Sequence, residues 1–188
     1  IEVDDFLDFA VWSICREHRD RWVNEMKTKG GNPFDNLTHL LFASSAIGEP
    51  LGADQILASI EKEKTKNDQK VWEVANWIGN EGSPSHLEKL LSLATKSSSV
   101  SRQHACLNAL LNAKKIRKIT PSGDLQSIIQ FLESENDTIW STAVKLAGLF
   151  KLEIARPSLE KVLTNKQSKQ IRKNAAIESL IALGGKKT

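Results

Sequence analysis

Four histidines and two cysteines are the side chains here best suited to metal binding or nucleophilic chemistry, and their spacing argues against both. His18, His39, His86 and His104 fall in separate segments, without the His-x-x-x-His or Glu-x-x-His spacing that gathers ligands on one helix face. Glu17 and His18 are adjacent, and adjacent residues on a helix point apart. Cys15 and Cys106 stand in apolar helical surroundings, where a thiol acts as a small hydrophobe. Two such residues build no disulfide framework and leave the redox compartment unread. Asp4, Asp5 and Asp8 suit the positive end of a helix dipole. No Gly-x-Ser-x-Gly elbow or phosphate-cradling loop is present, since Gly30-Gly31 runs into Asn32-Pro33. The expectation is a non-enzymatic domain, with no catalytic residue, no metal ligand and no cofactor of its own.

Recognition is the chemistry these residues do suggest. Tryptophan occurs five times (Trp12, Trp22, Trp72, Trp77, Trp140) and tyrosine never. Trp12 shares a helical stripe with Phe9 and is expected in the core. Trp72 and Trp77 are five apart and cannot both face the direction of Val71, Ala75 and Ile78. At least one should reach the surface or a boundary between units, where such rings anchor partners. Trp140, beside the inward Ile139, is read in the same way. With Arg16 and Arg21 these three rings form the candidate partner-binding set. Basic side chains cluster at Lys114, Lys115, Arg117 and Lys118, and again at Lys166, Lys169, Arg172, Lys173, Lys186 and Lys187. A nucleic-acid binder needs such charge on one face with aromatics to stack on bases. These clusters instead lie in an inter-helix loop and around the chain end, so nucleic acid is the alternative partner and protein the first.

The elements that position these groups repeat. Pro50, Pro84, Pro121 and Pro157 are separated by 34, 37 and 36 residues, each followed by an apolar stripe of helical period. Proline suits a helix start because its missing N–H is unpaired there anyway. A first helix lies upstream of each, as in Val71, Val74, Ala75 and Ile78 at i, i+3, i+4, i+7. Ala75, Ala105, Ala143 and Ala175 recur at spacings of 30, 38 and 32, where helices of adjacent units should come close. Gly48, Gly79, Asn112 and Gly184 are expected to end first helices in a left-handed conformation, with Phe150-Lys151 breaking that pattern. No stretch alternates with period two, so no strand is expected. Helices are predicted near 4–17, 19–29, 37–47, 53–64, 68–79, 84–95, 99–112, 122–134, 138–150, 155–164 and 168–183. Lys114 to Thr120 is the longest insertion.

With 188 residues, 40% hydrophobic and 26% charged, the chain is expected to be one domain with a real core. The N-terminal helical pair would span 1–36 and the repeat array 37–188. No apolar run approaches the roughly 18 residues of a membrane span. The opening Ile1-Glu2-Val3-Asp4-Asp5 has neither an initiator Met nor a signal-peptide layout, and reads as a segment of a longer chain. The net charge of +3 hides an asymmetry: residues 1–60 carry five Lys/Arg against ten Asp/Glu, and residues 61–188 carry 21 against 13.

The alternation of helical pairs resembles HEAT repeats. Ala155-Arg156-Pro157-Ser158-Leu159-Glu160-Lys161-Val162-Leu163 looks like that family's loop and second helix, and Ile171-Arg172-Lys173-Asn174-Ala175-Ala176 is similar to the start of its first helix. The resemblance covers 37–188 and implies an all-α fold, a right-handed α-α superhelix of about five helical pairs. In the N-terminal part, Leu7-Asp8-Phe9-Ala10-Val11-Trp12, Arg16-Glu17, Trp22 and Leu40-Leu41-Phe42-Ala43 resemble a segment of planctomycete multidomain proteins described as membrane-bound dehydrogenases or haem-binding proteins. That implies an exported parent whose redox domains this region would hold in position. The haem-attachment Cys-x-x-Cys-His is absent, so any haem chemistry would belong to other domains. The alternative function resembles the helical-repeat DNA alkylation repair proteins.

Overall fold

The computed structural model describes residues 5–29, 34, 37–47, 52–62 and 68–184. Among them every regular element is helical and none is a strand. In chain order these are α1 (Asp5–Glu17), α2 (Arg19–Lys29), α3 (Leu37–Ile47), α4 (Ala53–Lys62), α5 (Asp68–Glu81), α6 (Pro84–Lys96) and α7 (Val100–Asn112). A π-helical turn (Ala113–Arg117) and a 3₁₀ segment (Leu125–Glu133) follow. Then come α8 (Asp137–Leu149), a short 3₁₀ turn (Glu153–Ala155), α9 (Arg156–Thr164) and α10 (Gln170–Leu183).

Local chemistry sets the helix starts. Pro84 is the first residue of α6, and Ser83 caps it: the His86 N–H donates to Ser83 Oγ at 3.4 Å. The Ser83 N–H donates back to His86 Nδ1 at 3.1 Å, so a histidine completes a capping box usually closed by Glu or Gln. Asn136 Oδ1 accepts the N–H groups of Thr138 and Ile139 at the start of α8. Pro157 lies in the first turn of α9. Pro121 behaves differently. It stands four residues before the 3₁₀ segment, whose cap is Asp124, so the helix expected from 122 begins later and is wound more tightly.

The helices pack as two rows. In one, α1, α3, α5, α7, α8 and α10 each contact the next. In the other, α4, α6, the Leu125–Glu133 segment and the Glu153–Ala155 turn follow one another. Cross-contacts join them, α6 to α7 and α9 to α10 among others. Ala75, Ala105, Ala143 and Ala175 are all buried on successive helices of the first row. Glycine permits the closest approaches. A Cβ on Gly79 would come within 2.9 Å of the Ala109 carbonyl oxygen, and one on Gly148 within 2.8 Å of Ser179 Oγ.

Gly79 is therefore an interior contact residue of α5 and not the cap expected from sequence, since the helix continues to Glu81. Asn112 is right-handed, and the chain passes from it into the π-helical turn. Of the expected caps Gly184 does end its helix, α10, with positive φ (96°) but with ψ 171°, and the other positive φ values fall at Gly52, Lys118 (φ 60°), Gly123 and Lys151 (φ 57°). Lys151 supplies the reversal that Phe150-Lys151 was expected to lack. The supposed long loop at Lys114 is largely the π-helical turn. Gly30 to Pro33, Gly48 and Pro50 lie outside the described residues.

One cluster of buried side chains runs from Trp22 in α2 to Ile139, Ala143 and Leu146 in α8. A second contains Trp140, Val144 and Ala147 of α8 with Leu159, Ala176 and Leu183. Leu132 and Leu152 pack against both clusters. Each fully buried Leu or Ile contributes about 1.5–3 kcal/mol of transfer free energy.

Candidate functional site

The tryptophans divide by the stripe they occupy. Trp77 is 8% exposed and Trp140 2%, so neither presents the open ring surface expected of an anchor. Trp140 opens a stripe with Val144 and Ala147, at i, i+4 and i+7, and the Arg172 guanidinium lies 5.0 Å from its ring centre. Trp72 does sit at a boundary. It is half-buried, its ring 5.3 Å from that of His104 across the contact of α5 with α7. Burial pushes the His104 imidazole below its ordinary pKa. Trp22 is buried, its Nε1–H donating to the Cys15 carbonyl at 3.0 Å.

Trp12 corrects the sequence reading: it is on the surface, 38% exposed, and Phe9 is 63% exposed. Phe9 stacks on Trp12 with ring centres 6.0 Å apart, and the Arg16 guanidinium lies 4.6 Å over the indole. Arg16 also donates to the Ala46 carbonyl, near the end of α3, at 3.2 Å. Arg21 is exposed on α2. Phe9, Trp12 and Arg16 follow at i, i+3 and i+7, so the signal was in the sequence, but it reads equally as a core stripe.

Several members of the basic clusters hold the fold together. Arg117 donates to the Gly79 and Gly82 carbonyls at 3.1 and 2.8 Å, at the C-terminal end of α5. Arg172 donates to the Ser134 and Glu135 carbonyls and to Asp137. Outside those clusters, Lys151 donates to the Ala182 carbonyl and Arg156 to that of Gly184. Cations at helix C-termini meet orphan carbonyls and the negative end of the dipole, which is why they are used there. Lys114 donates to Thr120 and lies 5.6 Å from the Phe150 ring centre.

One concavity was not apparent from sequence. Between α8 and α10 lies a groove of about 370 Å³ lined by Asp137, Thr138, Ser141, Lys145, Asn174 and Glu178 among others. It continues past Lys145 and Glu178 into a second hollow of about 280 Å³ reaching Lys115. Lys169 and Arg172 hydrogen-bond Asp137 at 2.6 and 2.8 Å and hold its carboxyl below the ordinary range. The groove thus offers carboxylates, hydroxyls, an amide and ammonium groups over a short distance.

Elsewhere the titratable groups serve structure. Burial pushes the Cys106 thiol up to about 12 and raises that of Cys15. Among the described residues no three His, Cys, Asp or Glu side chains gather closely enough to hold a metal ion. Among the same residues no helix is long and apolar enough to cross a membrane. No protein-family model, curated protein or solved structure matches the chain.

Proposed function

We propose that this chain is a helical-repeat scaffold whose task is to hold another polypeptide, with the α8–α10 groove as its docking site. The observation that carries the reading is the groove itself: opposite charges and hydroxyls from two successive helices of one row, open to solvent along their length. Its spaced donors and acceptors match the N–H and C=O groups of an extended peptide. The two-row packing supports a superhelical stack of the HEAT kind, a form that offers long binding surfaces. On the resemblance to dehydrogenase-type multidomain chains, the occupant would be a neighbouring domain. The employment of Arg117 and Arg172 as carbonyl caps favours a protein partner over nucleic acid.

Panning a random peptide library against the chain tests this. Peptides enriched on the wild type should lose at least about tenfold in affinity on Ser141→Arg and on Glu178→Lys. Their binding to Trp12→Glu should be unchanged. No enrichment, or peptides that bind the groove variants equally well, would overturn the reading.

A further inference from the structure

The charges along the α8–α10 groove are not all spent. In its first part the Asp137 carboxylate takes Lys169 and Arg172 at 2.6 and 2.8 Å. The second hollow is lined by Lys115, Lys145, Leu149, Glu178, Ser179 and Ala182. There the buried Ser179 hydroxyl is committed to the Val144 carbonyl, to which it donates at 2.8 Å. Lys115 and Lys145 are exposed, and among the described residues neither ammonium has a hydrogen-bond or ion-pair partner.

Lys115 differs from the rest of its own basic cluster. Lys114 donates to Thr120, Arg117 to the Gly79 and Gly82 carbonyls, and Lys118 to the Lys115 carbonyl at 2.7 Å. The Arg117 bonds tie the π-helical turn to the end of α5 and leave the Lys115 side chain at the hollow. Lys145 reaches the same hollow from α8. Two like charges from separate elements thus share a space with one carboxylate, Glu178, to offset them. An anionic group between them relieves their repulsion and meets a turn that is already held in place. Leu149 and Ala182 offer apolar surface to the carbons that carry such a group.

We infer that the polypeptide docked in the groove sets a carboxylate in this hollow, between Lys115 and Lys145. The inference rests on the groove being a peptide site and names the chemistry of its occupant. An acidic side chain and a free C-terminus carry the same group.

Fluorescence anisotropy with the peptides enriched by panning tests it. Each peptide is made with its C-terminus free or amidated, and with its Asp and Glu kept or changed to Asn and Gln. Removing the carboxylate should cost about three- to fivefold in affinity for the wild type. A loss on amidation assigns the C-terminus, and a loss on the side-chain change assigns an acidic residue. Lys115→Glu should weaken the unmodified peptides about tenfold, and removing their carboxylate should then cost nothing more. Lys161→Glu, on α9 and outside both hollows, changes the net charge equally and should bind as the wild type does. Both lysines are exposed, and far-UV circular dichroism with thermal melting confirms that each variant is folded. Peptides that lose affinity on Ser141→Arg but ignore both carboxylate changes would overturn the inference and leave the docking site standing. So would equal losses on Lys115→Glu and Lys161→Glu, the mark of attraction by net charge alone. No enrichment in the panning would overturn both readings.

Discussion

His86 shows how a residue that could do chemistry is used for local order. Its Nδ1 accepts the Ser83 N–H, which requires the unprotonated nitrogen, and its Nε2 lies 3.5 Å from Asp54 of α4. Burial is the largest influence and lowers its pKa, Asp54 opposes that, and Lys89 adds to it. The folded pKa therefore lies below the ordinary 6.5, and the unfolded chain takes up this proton first as pH falls. Stability from His86 is complete above 6.5 and declines as pH drops toward the folded value. Glutamine can close the same capping box without titrating. Thermal melts at pH 7.5 and pH 5 should accordingly show a smaller loss of midpoint for His86→Gln than for the wild type. An equal loss in both would remove His86 as a source of acid sensitivity. Capping boxes are legible in sequence when Glu or Gln closes them. Here Pro84 marked the helix start, while the parts of Ser83 and His86 in it emerged only from the structure.

At the scale of the element, the small residues decide how closely helices approach. The recurrence of alanine was legible because it follows the helical repeat. Gly79 was misread because a glycine near a helix end looks the same whether it caps or packs. Its role follows from the 2.9 Å separation between its would-be Cβ and the Ala109 carbonyl oxygen, a contact 30 residues away in the chain. The expected outcome for Gly79→Ala is a loss of about 1–3 kcal/mol, since the new methyl must push backbone apart. Alanine has the better helix propensity by about 1 kcal/mol, so an exposed helical glycine would show a gain instead. Chemical denaturation distinguishes the two signs. The π-helical turn after α7 is of the same kind. Its sequence, Ala113-Lys114-Lys115-Ile116-Arg117, reads as a basic loop until Arg117 is seen donating to the Gly79 and Gly82 carbonyls.

For the molecule as a whole, α8 is the joint. One stripe of it, Ile139, Ala143 and Leu146, belongs to the larger core, and the next stripe, Trp140, Val144 and Ala147, to the smaller. Leu132 and Leu152 touch both. Truncating both leucines to alanine should uncouple the part beyond α8 from the rest. Hydrogen exchange should then show α9 and α10 opening at a lower free energy than α5 to α7, with the latter's protection kept. A single cooperative loss spread evenly over all helices would argue that the two clusters act as one.

The pattern of apolar residues and the prolines determined by themselves that this protein is helical, and placed most helix limits within a few residues. That is because the 3.6-residue period and the unpaired groups at helix ends are properties of neighbouring residues. The exposure of Trp12, the burial of Trp77 and Trp140 and the groove between α8 and α10 were decided by tertiary structure alone. Each depends on which face of a helix meets a segment 30 or more residues away, and a stripe of hydrophobic residues looks the same in sequence whether or not anything arrives to cover it.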